Sequence, residues 1–495
     1  MTTTTMTMTI RNISHLILAI IPMAAEGLSH LTSRHQRQRA PPRNYQISEE
    51  ILQGLREQSS SSSRNGALLD IERDFYDAST GLHSEGVWHN CMGGMAALQL
   101  RRNLLVRGSK SPSSSSSRSH HYRDDAHRIA ESLFEHSWDG TSFRRRSWSG
   151  NWDHSKLLAS PFATTGDATD VVQPNYYMES SEHRCIQHAI ALAFWSMLAR
   201  EHRGSGSAIL SQQALILDRF VDQFWNGKRW TTVSRTQGSG TTLRLSASSG
   251  TAKTSSSLNG TYFRAVDQAI AVLALSEHIK LLDSSKDIIS HKDERDRMVR
   301  LVEATCEDLL DNVDGFGYCN LSNARTYLGI DRNRNFWHEG WVMLALASAT
   351  QNIWPMDARG GRLEMLWNGL KERYTAGDTA DATSTAGETF WHWPLSQKDA
   401  KSNVQYCGDN VLAYAVRRNL RCNNNLSTEE NKDDDDDDVA FWNFVETLRS
   451  GNDHRLASVA DVYTQVRLHP NMELAALLVW PPSSSAKTQP IDMYN

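Results

Sequence analysis

Two kinds of apolar patterning alternate along this chain. In the first, hydrophobic residues return about every three to four positions, which places them on one stripe of a helix. "QQALILDRFVDQFW" from Gln212, "RDRMVRLVEATCEDLL" from Arg297 and "GRLEMLWNGLKERY" from Gly361 have this form. In the second kind the segment is apolar nearly all round. It recurs as "WHNCMGGMAALQL" from Trp88, "EHRCIQHAIALAFWSMLA" from Glu182 and "VDQAIAVLALSEHI" from Val266, then as "WHEGWVMLALASAT" from Trp337, "GDNVLAYAVRRNL" from Gly408 and "NMELAALLVW" from Asn471. Turns built from an aromatic and a glycine, "WDGTSF" at Trp138, "WNGKRW" at Trp225 and "DGFGY" at Asp314, follow the striped helices.

The all-apolar segments return at spacings of roughly 60–95 residues, which is the mark of a repeat architecture. A helix that is apolar all round must be buried on every side, whereas a striped helix lies outside it. Six buried helices, each wrapped by a striped one, predict a closed double ring. An open solenoid would leave the inner set exposed along a concave face. Alanine is abundant on the inner segments and lets crowded helices approach closely. The predicted fold class is therefore all-α, an (α/α)6 toroid with short β pieces.

Several stretches do not fit either pattern: the Thr-rich start, Ser59–Ser63, Ser113–Ser117, Thr236–Ser257 and Asp433–Asp438. Their composition reads as loops inserted between ordered elements. The aspartate run lacks the glycine and spacing of an EF-hand loop and reads as a solvated insertion. At the N-terminus Arg11 precedes an apolar stretch, Ile13–Ala25, that is short for a membrane span and suits a signal peptide. The expected organisation is a targeting peptide over 1–26, a linker over 27–46, one catalytic domain over 47–480 and a disordered tail over 481–495. Entry to the secretory pathway or an organelle follows, with no membrane span after processing. Sequons at Asn259, Asn320 and Asn425 fall in loop-like stretches, as glycan acceptors should.

The net charge of −5 is spread along the chain, and no basic stripe with interleaved aromatics occurs, which argues against a nucleic-acid partner. Six cysteines suit an oxidising compartment without being needed as staples. Cys407 and Cys422 flank one predicted helix and should not pair, whereas Cys91 and Cys185 hold equivalent places in successive repeats and could meet. No zinc spacing such as C-x-x-C or H-E-x-x-H is present, and no cofactor is expected. "RDDAH" at Arg123, on an outer helix, reads as solvated surface rather than a diphosphate–magnesium cluster. That sets prenyl and terpene chemistry aside.

Six hairpins of this kind resemble the (α/α)6 toroid of the six-hairpin glycosidase-like superfamily. "VDQAIAVLALSEHI" and "NFWHEGWVMLALASAT" are most similar to its N-acylglucosamine 2-epimerase-like branch. The resemblance spans roughly Ile47 to Trp480 in architecture and only these short motifs in sequence.

Parallel inner helices gather their first turns at one mouth. Those turns carry Trp88-His89-Asn90, Glu182-His183, Asp267-Gln268, Trp337-His338-Glu339, Asp409-Asn410, and Asn471 with Glu473. For any one residue, capping of free N–H groups explains a polar helix start equally well. Recurrence at all six starts points to a cavity. Tryptophan, present 15 times, suits the apolar face of a sugar ring, and Asn, Gln, Asp and His suit its hydroxyl rim. Trp88, Trp337, Trp341, Trp391 and Trp393 are the candidate platforms. His89, Asn90, Glu182, Gln268 and Asn410 are the candidate polar contacts.

Two reactions fit a carbohydrate substrate. Glycoside hydrolysis needs one carboxylic acid to protonate the leaving oxygen and a second carboxylate to attack or activate water. Asp267, Glu339 and Asp409, on three successive inner helices, are the candidates. The resemblance implies instead histidines that move a proton beside a sugar carbonyl, with His338 and His183 as matches. Here His338 and Glu339 are adjacent, where the family separates them by a spacer, and no late histidine matches the family's second. Together with the N-terminal apolar segment, this departure turns the reading to a glycoside hydrolase. The epimerase is the first alternative and a non-catalytic glycan-binding protein the second. Oligomeric state leaves no trace in the sequence.

Overall fold

A computed structural model of the chain describes residues 42–62, 76–77, 82–83, 86–108, 115–143, 185–201, 208–232, 263–284, 291–322, 325–326, 329–330, 336–354, 360–374, 403–422, 441–442, 445 and 470–480. The chain divides at Gln46/Ile47 into two units, and the helix packing described below belongs to the unit beginning at Ile47.

The helices in chain order are α1 (Arg43–Ser62), α2 (Gly86–Gly108), α3 (Ser115–His136), α4 (Cys185–Glu201), α5 (Ala208–Phe224), α6 (Ala265–Asp283), α7 (Lys292–Asp311), α8 (Phe336–Asn352), α9 (Gly360–Tyr374), α10 (Asn403–Cys422) and α11 (Pro470–Leu478). Two antiparallel ribbons of two-residue strands, β1 (Tyr76–Asp77) with β2 (Leu82–His83) and β3 (Arg325–Thr326) with β4 (Gly329–Ile330), precede α2 and α8. Serine runs expected as loops are partly helical, since α1 continues through Ser62 and α3 starts at Ser115. Extending an existing helix fixes one residue per added backbone bond, so a serine run beside a nucleated turn can join it.

Neighbour relations among the inner helices close on themselves. α2 packs on α4, α4 on α6, α6 on α8, α8 on α10, α10 on α11, and α11 returns to α2. Outside this ring α3 covers α2, α5 covers α4, α7 covers α6 and α9 covers α8. Phe441 stacks on Tyr414 of α10 at 4.6 Å, and Ser48 of α1 donates to the Ala475 carbonyl of α11 at 2.9 Å. The expected (α/α)6 toroid is thus the observed architecture.

The two layers differ in burial as the patterning requires. On α6 the run Val266–Ile279 is buried without a break. On α7 burial is confined to Met298, Val302, Thr305, Cys306, Leu309 and Leu310, a single stripe. Close approach within the inner layer depends on small residues: a Cβ on Gly94 of α2 would lie 2.4 Å from Cε2 of Phe194 on α4. Among the described residues no helix is long and apolar enough to cross a membrane.

Side-chain links between inner helices join like ends, which makes the helices parallel. Near their last turns, Glu201 of α4 accepts from Arg101 and from Arg102 of α2, the latter at 2.6 Å. Glu277 of α6 pairs with Arg200 of α4 and with Lys280 at 2.7 Å. Burial by itself would raise the Glu277 carboxyl, but Lys280 and Arg200 overcome it and hold the group at about 2. Ser348 of α8 meets Asn419 of α10 at 3.4 Å, and Arg418 of α10 donates to the Leu478 carbonyl of α11 at 3.0 Å.

Candidate functional site

At the opposite face, where the inner helices start, the connecting turns are built on one plan. In "WDGTSF" the carboxylate of Asp139 accepts from the N–H groups of Thr141 and Ser142, both at 2.9 Å. Asn226 does the same for Lys228 and Arg229 at 3.0 and 2.8 Å, and Asp314 for Phe316 and Tyr318 at 2.9 and 3.0 Å. Such side-chain turns favour Asn and Asp, and a glycine with positive φ completes each: Gly140, Gly227 and Gly317. Isolated bridges Trp138–Phe143, Trp225–Trp230 and Val313–Cys319 close the turns.

The fourth residue of an inner helix then holds the turn. His188 Nε2 of α4 accepts the Phe143 N–H at 2.8 Å. Gln268 of α6 accepts the Trp230 N–H at 2.8 Å and donates to its carbonyl at 2.6 Å. The same position carries His89 in α2, Glu339 in α8 and Glu473 in α11. His188 was not among the residues singled out by sequence reasoning. Aligning the inner segments by helix start, rather than by their first polar residue, would have exposed this polar column.

Asp267, one position earlier in α6, is fully buried. Its carboxylate accepts from Arg264 Nε at 3.0 Å, from Arg264 Nη2 at 3.1 Å and from the Thr232 hydroxyl at 2.5 Å. A buried charge engaged on both oxygens ties the start of α6 to the chain that enters it. The Cys185 thiol points to the Asp267 carbonyl at 4.0 Å. The expected meeting of Cys91 and Cys185 does not occur. Both are free thiols, because the first residue of α4 faces α6 rather than α2. Burial raises both thiols well above their ordinary value.

Across the ring, Trp88 of α2, Trp341 of α8 and Trp480 just past α11 meet edge to face. Their ring centroids are 5.5 Å apart for Trp88–Trp341 and 5.7 Å for Trp341–Trp480. Trp88 Nε1 donates to Glu473 Oε2 at 3.2 Å. All three indoles are buried, Trp341 completely, so they form an interlocked floor. His89, Asn90 and Glu339 are buried beside these starts, and His338 is half-buried. Burial, with Glu339 among the acidic neighbours, pushes the Cys319 thiol up to about 12.

Trp337 lies in the first turn of α8, but Asp409 and Asn410 do not start α10, which begins about a turn and a half earlier at Asn403 because the polar residues before Gly408 join the helix. The side chains of all three lie outside the described residues. Glu182, His183, Trp391 and Trp393 lie outside the described residues, as do the N-terminal apolar segment, Asn259, Asn425 and the aspartate run. Asn320 is exposed and donates to Asp314 Oδ2 at 2.7 Å. In "RDDAH" Arg123 and Asp124 face water as expected, but Asp125 is fully buried and pairs with Arg128 at 2.9 Å, one helical turn on. Among the described residues no three His, Cys, Asp or Glu side chains are grouped to hold a metal ion.

No protein-family model matches the chain, and no curated protein does. Among solved structures the chain is similar to "Glycosyl hydrolase family 88 from Bacteroides vulgatus", at 12% identity over 71% of this chain and 90% of that one, with a TM-score of 0.33. A likeness of that strength is too slight to build on, and the fold rests on the closed circuit of helix neighbours.

Proposed function

We propose that this protein is a carbohydrate-active enzyme, a glycoside hydrolase working at the face where the inner helices begin. The observation that carries the reading is the convergence of polar and carboxylate-bearing first turns around the Trp88–Trp341–Trp480 floor. Glu339 and Asp409, on neighbouring inner helices, are the proposed acid and its partner carboxylate. Asp267, with both oxygens engaged, has the frame-holding part, and the tryptophans with His89 and Asn90 shape the sugar site.

The second reading is a sugar epimerase of the N-acylglucosamine 2-epimerase type, with His338 and His183 exchanging the proton. It is favoured by the half-exposure of His338, in contrast to His188, which is buried and bound to the Phe143 N–H. A glycan-panel activity screen of the full chain beside Glu339→Gln and Asp409→Asn tests the hydrolase. Cleavage should fall by about 100-fold or more in each variant, the range for losing one acid–base group, with circular dichroism unchanged. Unchanged turnover in both variants would remove the assignment. Deuterium uptake beside a sugar carbonyl without cleavage would transfer it to the epimerase, and binding without either reaction would leave a glycan-binding protein.

A further inference from the structure

Among the described residues four large apolar side chains stand out in water: Val106, Leu210, Phe316 and Met365. Two of them line one groove. It has a volume of about 730 Å³ and runs between the turn after α7 and one face of α9, with Phe316 and Tyr318 on one wall and Met365, Glu364, Asn368 and Glu372 on the other. Phe316 is 80% exposed and Met365 42%.

The repeat itself marks this turn as different. At the turn position two residues after the Asx side chain, the sister turns carry Thr141 and Lys228, ordinary solvent-facing residues, whereas this one carries Phe316. The turn is also one residue longer, and the added length brings it onto α9. A Cβ on Gly317, φ +71°, would lie 2.5 Å from the Met365 carbonyl oxygen and 3.0 Å from Gly369 Cα. At Gly140 and Gly227 nothing lies within 4 Å. Close backbone contact with α9 and the Asp314 hydrogen bonds together hold the turn backbone that presents Phe316 to water, so little backbone ordering cost remains for a partner that covers it.

The groove's charge says what that partner carries. Glu364 and Glu372 are exposed, neither has a hydrogen-bond or ion-pair partner among the described residues, and they are the charged residues of the groove's lining. Two described cations of α9 have other neighbours: Arg362 donates to Asp311 at 2.6 Å and to the Leu310 carbonyl, and the Lys371 ammonium lies 5.8 Å from the Trp367 ring centroid. Aromatic and methionine side chains give an adaptable apolar anchor, and a lining whose charged members are both carboxylates selects positive charge. We propose that this groove docks a basic peptide segment, with lysines or arginines flanking one aromatic or aliphatic residue that packs on Phe316 and Met365. None of its lining residues is among those given to the sugar site, and the inference does not rest on that reading.

The test uses the full-length protein and a fluorescently labelled synthetic peptide with a central leucine between lysine pairs. Its controls are an acidic twin carrying glutamates and a neutral linear oligosaccharide. Anisotropy should show saturable binding of the basic peptide, weakening with salt. It should weaken further by about tenfold for Phe316→Ser and for the pair Glu364→Lys with Glu372→Lys. These are surface changes, and unaltered circular dichroism would exclude loss of fold. Absence of binding, equal binding of the acidic twin, or affinity unchanged in both variants would overturn the proposal. Competition for the groove by the oligosaccharide alone would hand it to a sugar.

Discussion

At the last turns of α2, α4 and α6 the ring is stitched by charge: Arg101 and Arg102 on Glu201, then Arg200 and Lys280 on Glu277. At the first turns of α4 and α6 the links are hydrogen bonds from single polar residues to turn backbone, with an interlocked indole floor on the far side. Ion pairs between long side chains can span helices whose backbones splay apart. Short bonds from His188 and Gln268 demand that each turn sit in one place. The closing end therefore tolerates adjustment, and the starting end is fixed in geometry, which is what a binding or catalytic face needs.

Removing charge from the closing end should have the largest effect. Glu277→Gln leaves Arg200 and Lys280 facing each other without their carboxylate, and urea unfolding at neutral pH should show a loss of about 3–5 kcal/mol. Because the folded Glu277 carboxyl sits near 2 against an ordinary 4.5, its contribution is complete above about pH 4.5 and is lost as pH falls toward 2. The variant should show a flatter acid limb than wild type over that window. A parallel acid limb would mean that Glu277 is not the group responsible.

A smaller loss, about 2–3 kcal/mol, is expected at the starting end for Asp267→Asn, which keeps the shape but loses the charge opposite Arg264. If Asp267 belongs to the frame, stability falls; if it is the reacting carboxylate, turnover collapses while the unfolding midpoint stays. That outcome would reverse the roles given to Asp267 and Glu339. Smallest is Gly94→Ala, which acts on the helix spacing that both ends inherit. Its methyl must displace the buried Phe194 ring, at about 1–3 kcal/mol by overpacking, read as a lower thermal midpoint. An unchanged midpoint would show that α2 and α4 can separate without penalty.

Much of the ring was legible in the residues. The contrast between striped and all-apolar segments separates outer from inner helices, since burial on one side or on all sides is a demand that composition must satisfy. The turn signals were equally plain, because an Asx residue followed by glycine has few other conformations as favourable. Asp125 was misread for a related reason: a charged residue in a polar helix looks solvated until a neighbour such as Arg128 shows that it can be buried in a pair.

Alternating patterns with Asx–Gly turns determined, by sequence alone, how many layers form and which helix belongs to each, because the solvent requirement acts residue by residue. Tertiary structure decided which polar helix starts are occupied. The fourth-position residues of α4 and α6 hold turns, Asp267 is clasped by Arg264 and Thr232, and Glu473 takes the Trp88 indole N–H. A hydrogen bond has a direction and a reach of about 3 Å, so its partner is chosen by where distant segments meet, which no local pattern encodes.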